Sequence, residues 1–118
     1  MSVSKPFSLQ SEDISNLSDQ EIMQCVAAGR QDALTALFDR YNHLVFNVAL
    51  RIVRDPGEAE EVVQTVFLDI YRAAANFDPR KGIPKVWILQ YAYHRALHRK
   101  RHLISNHFYH WEELASAL

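Results

Sequence analysis

Apolar residues recur at helical spacing along the segment from Gln31 to Arg54, and this pattern is the strongest constraint on the fold. A period of three to four residues predicts an amphipathic helix with one buried face, and does not suit a strand. The Asp55-Pro56-Gly57 sequence then ends the pattern, since proline and glycine both interrupt helices. The stripe consists of Leu34, Leu37, Phe38, Tyr41, Leu44, Val45, Val48, Ala49 and Ile52.

Three further helices follow from the same signals. A short leading helix is predicted from Ser18, whose spacing to Glu21 is that of a capping box, as far as Ala28, before Gly29. Another begins near Pro56, a residue favoured at a first helical position, and the last begins at Lys85. The core side of the helix at Pro56 is predicted to be Ala59, Val62, Val63, Val66, Phe67, Ile70, Tyr71 and Ala74.

The fold class predicted from these helices is all-α, because no segment carries a convincing strand pattern. We expect a compact helical bundle of three main helices plus a short N-terminal helix. Residues 1–16 are expected to form a flexible arm, and residues 17–102 the helical domain. Residues 103–118 are expected to form a C-terminal extension or the start of an interdomain linker. A short helix there would be capped by Ser105 or Asn106 and would use Phe108, Trp111, Leu114 and Ala115.

Charge is distributed unevenly along the chain, although the formal net charge is only -1. Residues 1–69 carry 5 Lys or Arg against 11 Asp or Glu, whereas residues 72–102 carry 8 against the single acid Asp78. Such a chain is predicted to meet one partner with its acidic half and another with its basic half. The only cysteine is Cys25, so no disulfide forms within the chain, and we expect a cytoplasmic protein without a membrane span.

The basic half contains a loop and the last helix of the predicted domain. The core side of this helix is predicted to be Val86, Leu89, Ala92, Tyr93, Ala96 and Leu97. Its other side mixes aromatic rings and cations, among them Trp87, Tyr91 and Arg95. Rings stack on unpaired bases while cations follow phosphates, so this side suits a single nucleic-acid strand. A solvated cationic face whose rings pack within the domain is the alternative.

Four sequence motifs resemble a known family. They are Asp55-Pro56, the segment Ala59 to Leu68, Phe77-Asp78-Pro79 with Gly82, and the segment Trp87 to Ala92. In this order and spacing, over roughly residues 20–102, they are similar to region 2 of bacterial RNA polymerase sigma factors. The resemblance is to the extracytoplasmic-function (ECF) subfamily.

The resemblance implies a role in transcription initiation and two working surfaces. The third helix would dock on the clamp coiled coil of the polymerase β′ subunit through Glu61, Gln64, Thr65 and Leu68. The loop and the fourth helix would bind and melt the minus-ten promoter element and capture its non-template strand. Candidate DNA-binding residues are Phe77, Arg80, Lys81, Lys85, Trp87, Gln90, Tyr91, His94, Arg95, His98 and Arg99. An anti-sigma factor is a further partner that the family implies.

Other classes of function remain as alternatives. His94, His98 and His102 lie one helical turn apart, a spacing at which imidazoles share a zinc ion, so a metal-responsive regulator is the second hypothesis. A protein-interaction module is the third. No catalytic constellation or phosphate-binding glycine loop is present in the sequence, so an enzyme is not expected and no cofactor or metal is predicted.

Overall fold

A computed structural model describes residues 14–117, with side chains for all of these except residues 108–110. Its elements are α1 (Asp19–Ala27), α2 (Gln31–Val53), α3 (Pro56–Ala73), a 3-10 turn (Ala74–Asn76) and α4 (Pro84–Ala117). Within this described range every regular element is helical, which confirms the all-α prediction. None of the helices in the described range is long and apolar enough to cross a membrane.

Local capping fixes where α1 begins and ends. The Ser18 hydroxyl accepts a hydrogen bond from the Glu21 amide at 3.1 Å, and the Glu21 carboxylate accepts one from the Ser18 amide at 2.8 Å. The predicted capping box is therefore confirmed, and the bond from the Ser18 amide lowers the pKa of Glu21. Gly29 follows α1 with φ +89°, a left-handed conformation that glycine adopts without steric cost.

The predicted break between α2 and α3 is confirmed at Asp55. Arg54 adopts the left-handed conformation, with φ 60°, and ends α2. Asp55 then caps α3, because its carboxylate accepts a hydrogen bond from the Glu58 amide at 2.9 Å, and Pro56 occupies the first helical position. Two long helices thus meet at a sharp turn, and Asp55 satisfies the amides of Glu58 and Ala59 at the start of α3.

The core lies between α2, α3 and α4, with α1 packed against one end of the bundle. Most of the predicted core positions on α2 and α3 are buried or half-buried, but two are wrong. Phe38 is 39% exposed and packs on Phe67 at the edge of the core, with ring centroids 5.0 Å apart. Tyr71 is 38% exposed, because the buried face at the end of α3 is formed by Val66 and Ile70, and Tyr71 lies beside it.

The predicted core face of α4 is partly wrong. Its buried residues are Pro84, Ile88, Ala92 and Ala96, whereas Val86 and Tyr93 are 49% and 53% exposed. The cause is the position of α4 in the crevice between α2 and α3, where the small side chains of Ala92 and Ala96 allow close approach. We call the line of Ile88, Ala92 and Ala96 the buried seam of α4. Leu89 and Leu97 lie beside this seam and are half-buried, and Val86 and Tyr93 lie outside it.

The C-terminal part of the chain continues α4. Ser105 and Asn106 lie inside this 34-residue helix and do not cap a separate one, so the prediction of a short independent helix is wrong. Trp111 and Leu114 are 65% and 50% exposed, and the Phe108 side chain is outside the described residues. The predicted arm lies outside the described residues as far as residue 13, and it does not extend to Ile14, which is fully buried.

Candidate nucleic-acid interface and docking strip

The loop between the 3-10 turn and α4 is held in shape by Asp78. Its carboxylate accepts hydrogen bonds from the Arg80 amide at 2.9 Å and from the Arg80 guanidinium at 3.2 Å, and its carbonyl accepts one from the Lys81 amide at 3.0 Å. The Arg80 hydrogen bonds lower the pKa of Asp78. Arg80 nevertheless points outward, since its side chain is 89% exposed.

Three half-buried aromatic rings form a row from this loop along α4. Phe77 meets Trp87 edge to face with centroids 5.4 Å apart, and Trp87 meets Tyr91 in the same way at 5.0 Å. All three rings pack against the core, so the alternative in which the rings pack within the domain is partly correct. Aromatic edge contacts of this kind stabilise a particular ring orientation.

A cavity of about 330 Å³ opens beside the row. Its volume lies at the lower end of the range of ligand pockets in proteins. Apolar walls and nearby amide and ammonium groups together suit a flat ring with a polar edge, such as a nucleobase. The lining consists of Asn76, Phe77, Asp78, Lys81, Gly82, Ile83, Val86, Trp87 and Gln90.

Sequence reasoning missed three residues of this cavity. The predicted site includes neither Asn76 nor Ile83, and Val86 is predicted for the core; Ile83 is 58% exposed. Pro84 is the sequence signal that could have indicated these residues, because proline is favoured at the start of a helix. It begins α4 and is buried, and Ile83 before it and Val86 after it line the cavity.

Apart from the three rings of the aromatic row, the predicted DNA-binding residues divide into two groups. Arg95 and Arg99 are bound to acids of α3: the Arg95 guanidinium donates to both oxygens of Asp69, at 2.5 and 2.9 Å, and Arg99 donates to Glu58 at 2.6 Å. These hydrogen bonds raise the pKa of both arginines further above its ordinary value. The other group has exposed side chains and consists of Arg80, Lys81, Lys85, Gln90, His94 and His98.

The histidines of α4 whose side chains the structure describes do not come together as a metal site. Within the part of the chain that the structure describes, no group of three or more His, Cys, Asp or Glu is placed to hold a metal ion. His94 contacts the Tyr93 ring, and His102 lies 3.1 Å from the Asn106 amide nitrogen. The structure therefore gives the metal-responsive hypothesis no support.

The predicted docking residues form a strip along α3. Glu61, Gln64 and Leu68 are exposed, Leu68 by 52%, and Thr65 is half-buried. The Thr65 hydroxyl donates to the Glu61 carbonyl at 3.0 Å, so it is held against its own helix. A depression of about 130 Å³ joins this strip to α4, since it is lined by Glu61, Val62, Thr65, Arg95, His98 and Arg99.

Comparison with protein families gives a match over residues 37–103 to the model of sigma-70 region 2. That match covers α3, the aromatic row, the loop and most of α2, which are the elements that carry both surfaces. The chain belongs to the sigma-70 region 2 family.

This region 2 domain is of the ECF type, as its relatives show. It is 39% identical over 80 residues to the ECF RNA polymerase sigma factor SigK of Mycobacterium sp. (strain KMS), over 68% of this chain and 42% of the relative. It is 34% identical over 80 residues to SigK of Mycobacterium ulcerans (strain Agy99), over 68% of this chain and 43% of that protein. The chain thus spans less than half the length of the curated relatives that it matches.

Proposed function

We propose that this region 2 domain acts in transcription initiation in the bacterial cytoplasm, without enzymatic activity of its own. In this proposal α3 docks on the β′ clamp coiled coil of RNA polymerase core, and the loop with α4 holds the melted non-template strand of the minus-ten element. The observation that carries the proposal is the cavity between Phe77, Trp87 and Val86, which lies in the basic half of the chain.

The energetics favour a melted strand at this cavity. Removing a base from the stack costs a few kcal/mol, and stacking on an aromatic side chain returns about 1–3 kcal/mol per base. A base in the cavity would contact Ile83, Val86 and Trp87, while Lys81 and Gln90 also line the cavity and could meet its polar edge. Binding energy alone then holds the open strand, without nucleotide hydrolysis.

Phosphate contacts would come from the exposed cations around the cavity. Lys81 lines it, Lys85 lies in the first turn of α4, and Arg80 extends from the loop. Contacts of this kind position a strand without reading its sequence, so any sequence preference must arise inside the cavity.

The α3 strip supports the docking part of the proposal. An exposed leucine beside polar side chains at helical spacing is typical of a surface that packs against another helix, and the clamp coiled coil is helical in the family. Leu68 is the apolar centre of this strip, and Glu61 and Gln64 lie at its polar rim.

The test is binding of the full chain to short single-stranded oligonucleotides with varied minus-ten sequences, measured by fluorescence anisotropy at several salt concentrations. We expect a preference for particular bases, and affinity that falls as salt rises. Replacing Ile83 with Glu, which places a charge in the cavity, should remove the preference, whereas Ile104→Glu, at an exposed position elsewhere on α4, should keep it. Equal affinity for every sequence would contradict the proposal.

A further inference from the structure

Two acids of α3 bind two arginines of α4 that lie on the side predicted to face DNA. Arg95 holds Asp69 through two hydrogen bonds, and Arg99 holds Glu58 through one at 2.6 Å. The partners are 26 and 41 residues apart in sequence. These two ion pairs join the docking helix to the strand-facing helix.

Both arginines continue the aromatic row. Trp87, Tyr91, Arg95 and Arg99 follow one another at four-residue spacing, which places them along one side of α4. A strand that leaves the cavity along this side would reach the arginines next. Their side chains are 43% and 33% exposed, so they are accessible, whereas the carboxylate of Asp69 is only 11% exposed.

We propose that Asp69 and Glu58 mask the charge of Arg95 and Arg99, so that a bound strand meets the charge of Lys81 and Lys85 and not that of the arginines. The inference rests on the proposed function, because it concerns the same strand-binding surface. A guanidinium whose donors point at a carboxylate forms a locally neutral pair. Such a pair adds little to the number of cations that replace counterions on a nucleic-acid strand. Asp69 and Glu58 are therefore positioning residues that limit nonspecific affinity.

The experiment measures the dependence of affinity on salt for the full chain and an oligothymidine strand, which contains no promoter sequence. The slope of log affinity against log salt changes by about 0.7 for each cation that contacts a single strand. We expect Asp69→Asn and Glu58→Gln each to steepen the slope by about 0.7 and to raise affinity several-fold, since each frees one arginine. Asp39→Asn is the matched control, because it removes one negative charge from an exposed position on α2 away from α4.

Substitution of the arginines tests the same inference from the other side. Arg95→Gln alone should leave the slope nearly unchanged, whereas Lys81→Gln should reduce it by about 0.7. The double variant Asp69→Asn with Arg95→Gln should return the slope to that of the unmodified chain, which a general loss of structure would not do. Thermal melting of each variant checks folding. If Asp69→Asn does not fold, Glu58→Gln and its double variant with Arg99→Gln decide, because Glu58 is the more exposed acid.

Two results would overturn the inference. One is a salt slope in Asp39→Asn that is as steep as in Asp69→Asn and Glu58→Gln, because loss of any negative charge would then have the same effect. The other is a loss of slope in Arg95→Gln as large as that in Lys81→Gln. Oligothymidine reports charge and not sequence, so these results leave the proposed function standing. Conversely, the absence of any preference among minus-ten sequences would contradict the proposed function. The salt slopes measured with oligothymidine would still test whether Asp69 and Glu58 mask the arginines.

Discussion

The rings of Phe77 and Trp87 meet edge to face, with centroids 5.4 Å apart, and this contact joins the end of the 3-10 turn to the first turn of α4. Both rings also line the cavity beside the loop. One pair of residues therefore has two roles: it fixes the loop on the bundle, and it forms one wall of the site proposed for a nucleobase. Trp87 therefore both packs against the core and lines the proposed binding site.

Replacement of Trp87 separates these two roles. Trp87→Ala should lower the free energy of unfolding by about 2 kcal/mol, less than for a fully buried ring, because the indole is half-buried. Trp87→Phe keeps an aromatic edge for Phe77, so most of the stability should return. Denaturant unfolding measures both, and Trp111→Ala is the control, since an indole that is 65% exposed should matter by less than about 0.5 kcal/mol.

Fluorescence of the same indole reports on the strand. In a Trp111→Phe background Trp87 is the only tryptophan, and a base held in the cavity should quench its emission. Quenching should saturate at the same oligonucleotide concentration as the anisotropy signal. Binding without any change in emission would place the strand away from the cavity.

The docking strip predicts a separate loss of function. Leu68→Ala should weaken association with purified RNA polymerase core by about 1–2 kcal/mol, or roughly 5- to 30-fold, because the leucine is the exposed apolar centre of the strip. Gln64→Ala should have a smaller effect in the same direction. Helicity and the free energy of unfolding should not change, since both side chains are exposed.

Gln24→Ala on α1 is the control for this measurement, because it removes an exposed glutamine of the same size from another helix. Polymerase association that is equal for Leu68→Ala, Gln64→Ala and Gln24→Ala would remove the docking assignment. A strand affinity that stays constant in all three variants would show that the two surfaces are used independently.

Much of the fold could be predicted because its helix ends depend on local chemistry. The capping box at Ser18, the left-handed Gly29 and the proline at the start of α3 each act within four residues of sequence. The face of α4 could not be predicted in the same way. Its seam of Ile88, Ala92 and Ala96 contains small residues, and larger apolar residues occur on several sides of the helix. The pattern therefore does not show which side enters the crevice.

The candidate site was predictable in residue type but not in arrangement. The basic loop and the aromatic residues can be read from composition and spacing, and residues of both line the cavity. The partners of Arg95 and Arg99 could not be found, because Asp69 and Glu58 are distant in sequence and their pairing depends on how α3 and α4 cross. Which arginines form ion pairs with acids therefore depends on the packing of α3 against α4.

Alkaline pH should weaken the contact between α1 and α2. The phenol of Tyr41 donates a hydrogen bond to the carboxylate of Asp19, which also accepts one from Arg40 at 2.8 Å. Burial, reinforced by this hydrogen bond, raises the pKa of Tyr41 to about 12, compared with about 10 in an unfolded chain. The protonated phenol therefore contributes stability in full below about pH 10, and this stability is lost as pH rises towards 12.

Tyr41→Phe gives the measurement for that prediction. At neutral pH the variant should be less stable by about 1–2 kcal/mol, because a hydrogen bond to a carboxylate is lost. Between about pH 10 and 12 the difference in free energy of unfolding should shrink, since only the unmodified chain loses a proton on unfolding there. Tyr93→Phe, at an exposed position, is the control and should give no such change. A difference that stays constant with pH would contradict the raised pKa.

The distal part of α4 can be tested with a single proline. Ser105 lies inside the continuous helix, and proline at that position removes a hydrogen bond and clashes with the preceding turn, at a cost of about 3 kcal/mol to the helix. We expect Ser105→Pro to reduce helical ellipticity at 222 nm by roughly a seventh, because the residues beyond it form about that share of the helices. Bundle stability should stay nearly unchanged, since Trp111 and Leu114 beyond the substitution are exposed. Ala92→Pro, in the buried seam, should instead unfold the domain.

An unchanged ellipticity for Ser105→Pro would show that the helix is already interrupted near residue 105. A large fall in bundle stability would show that the distal segment packs against the domain.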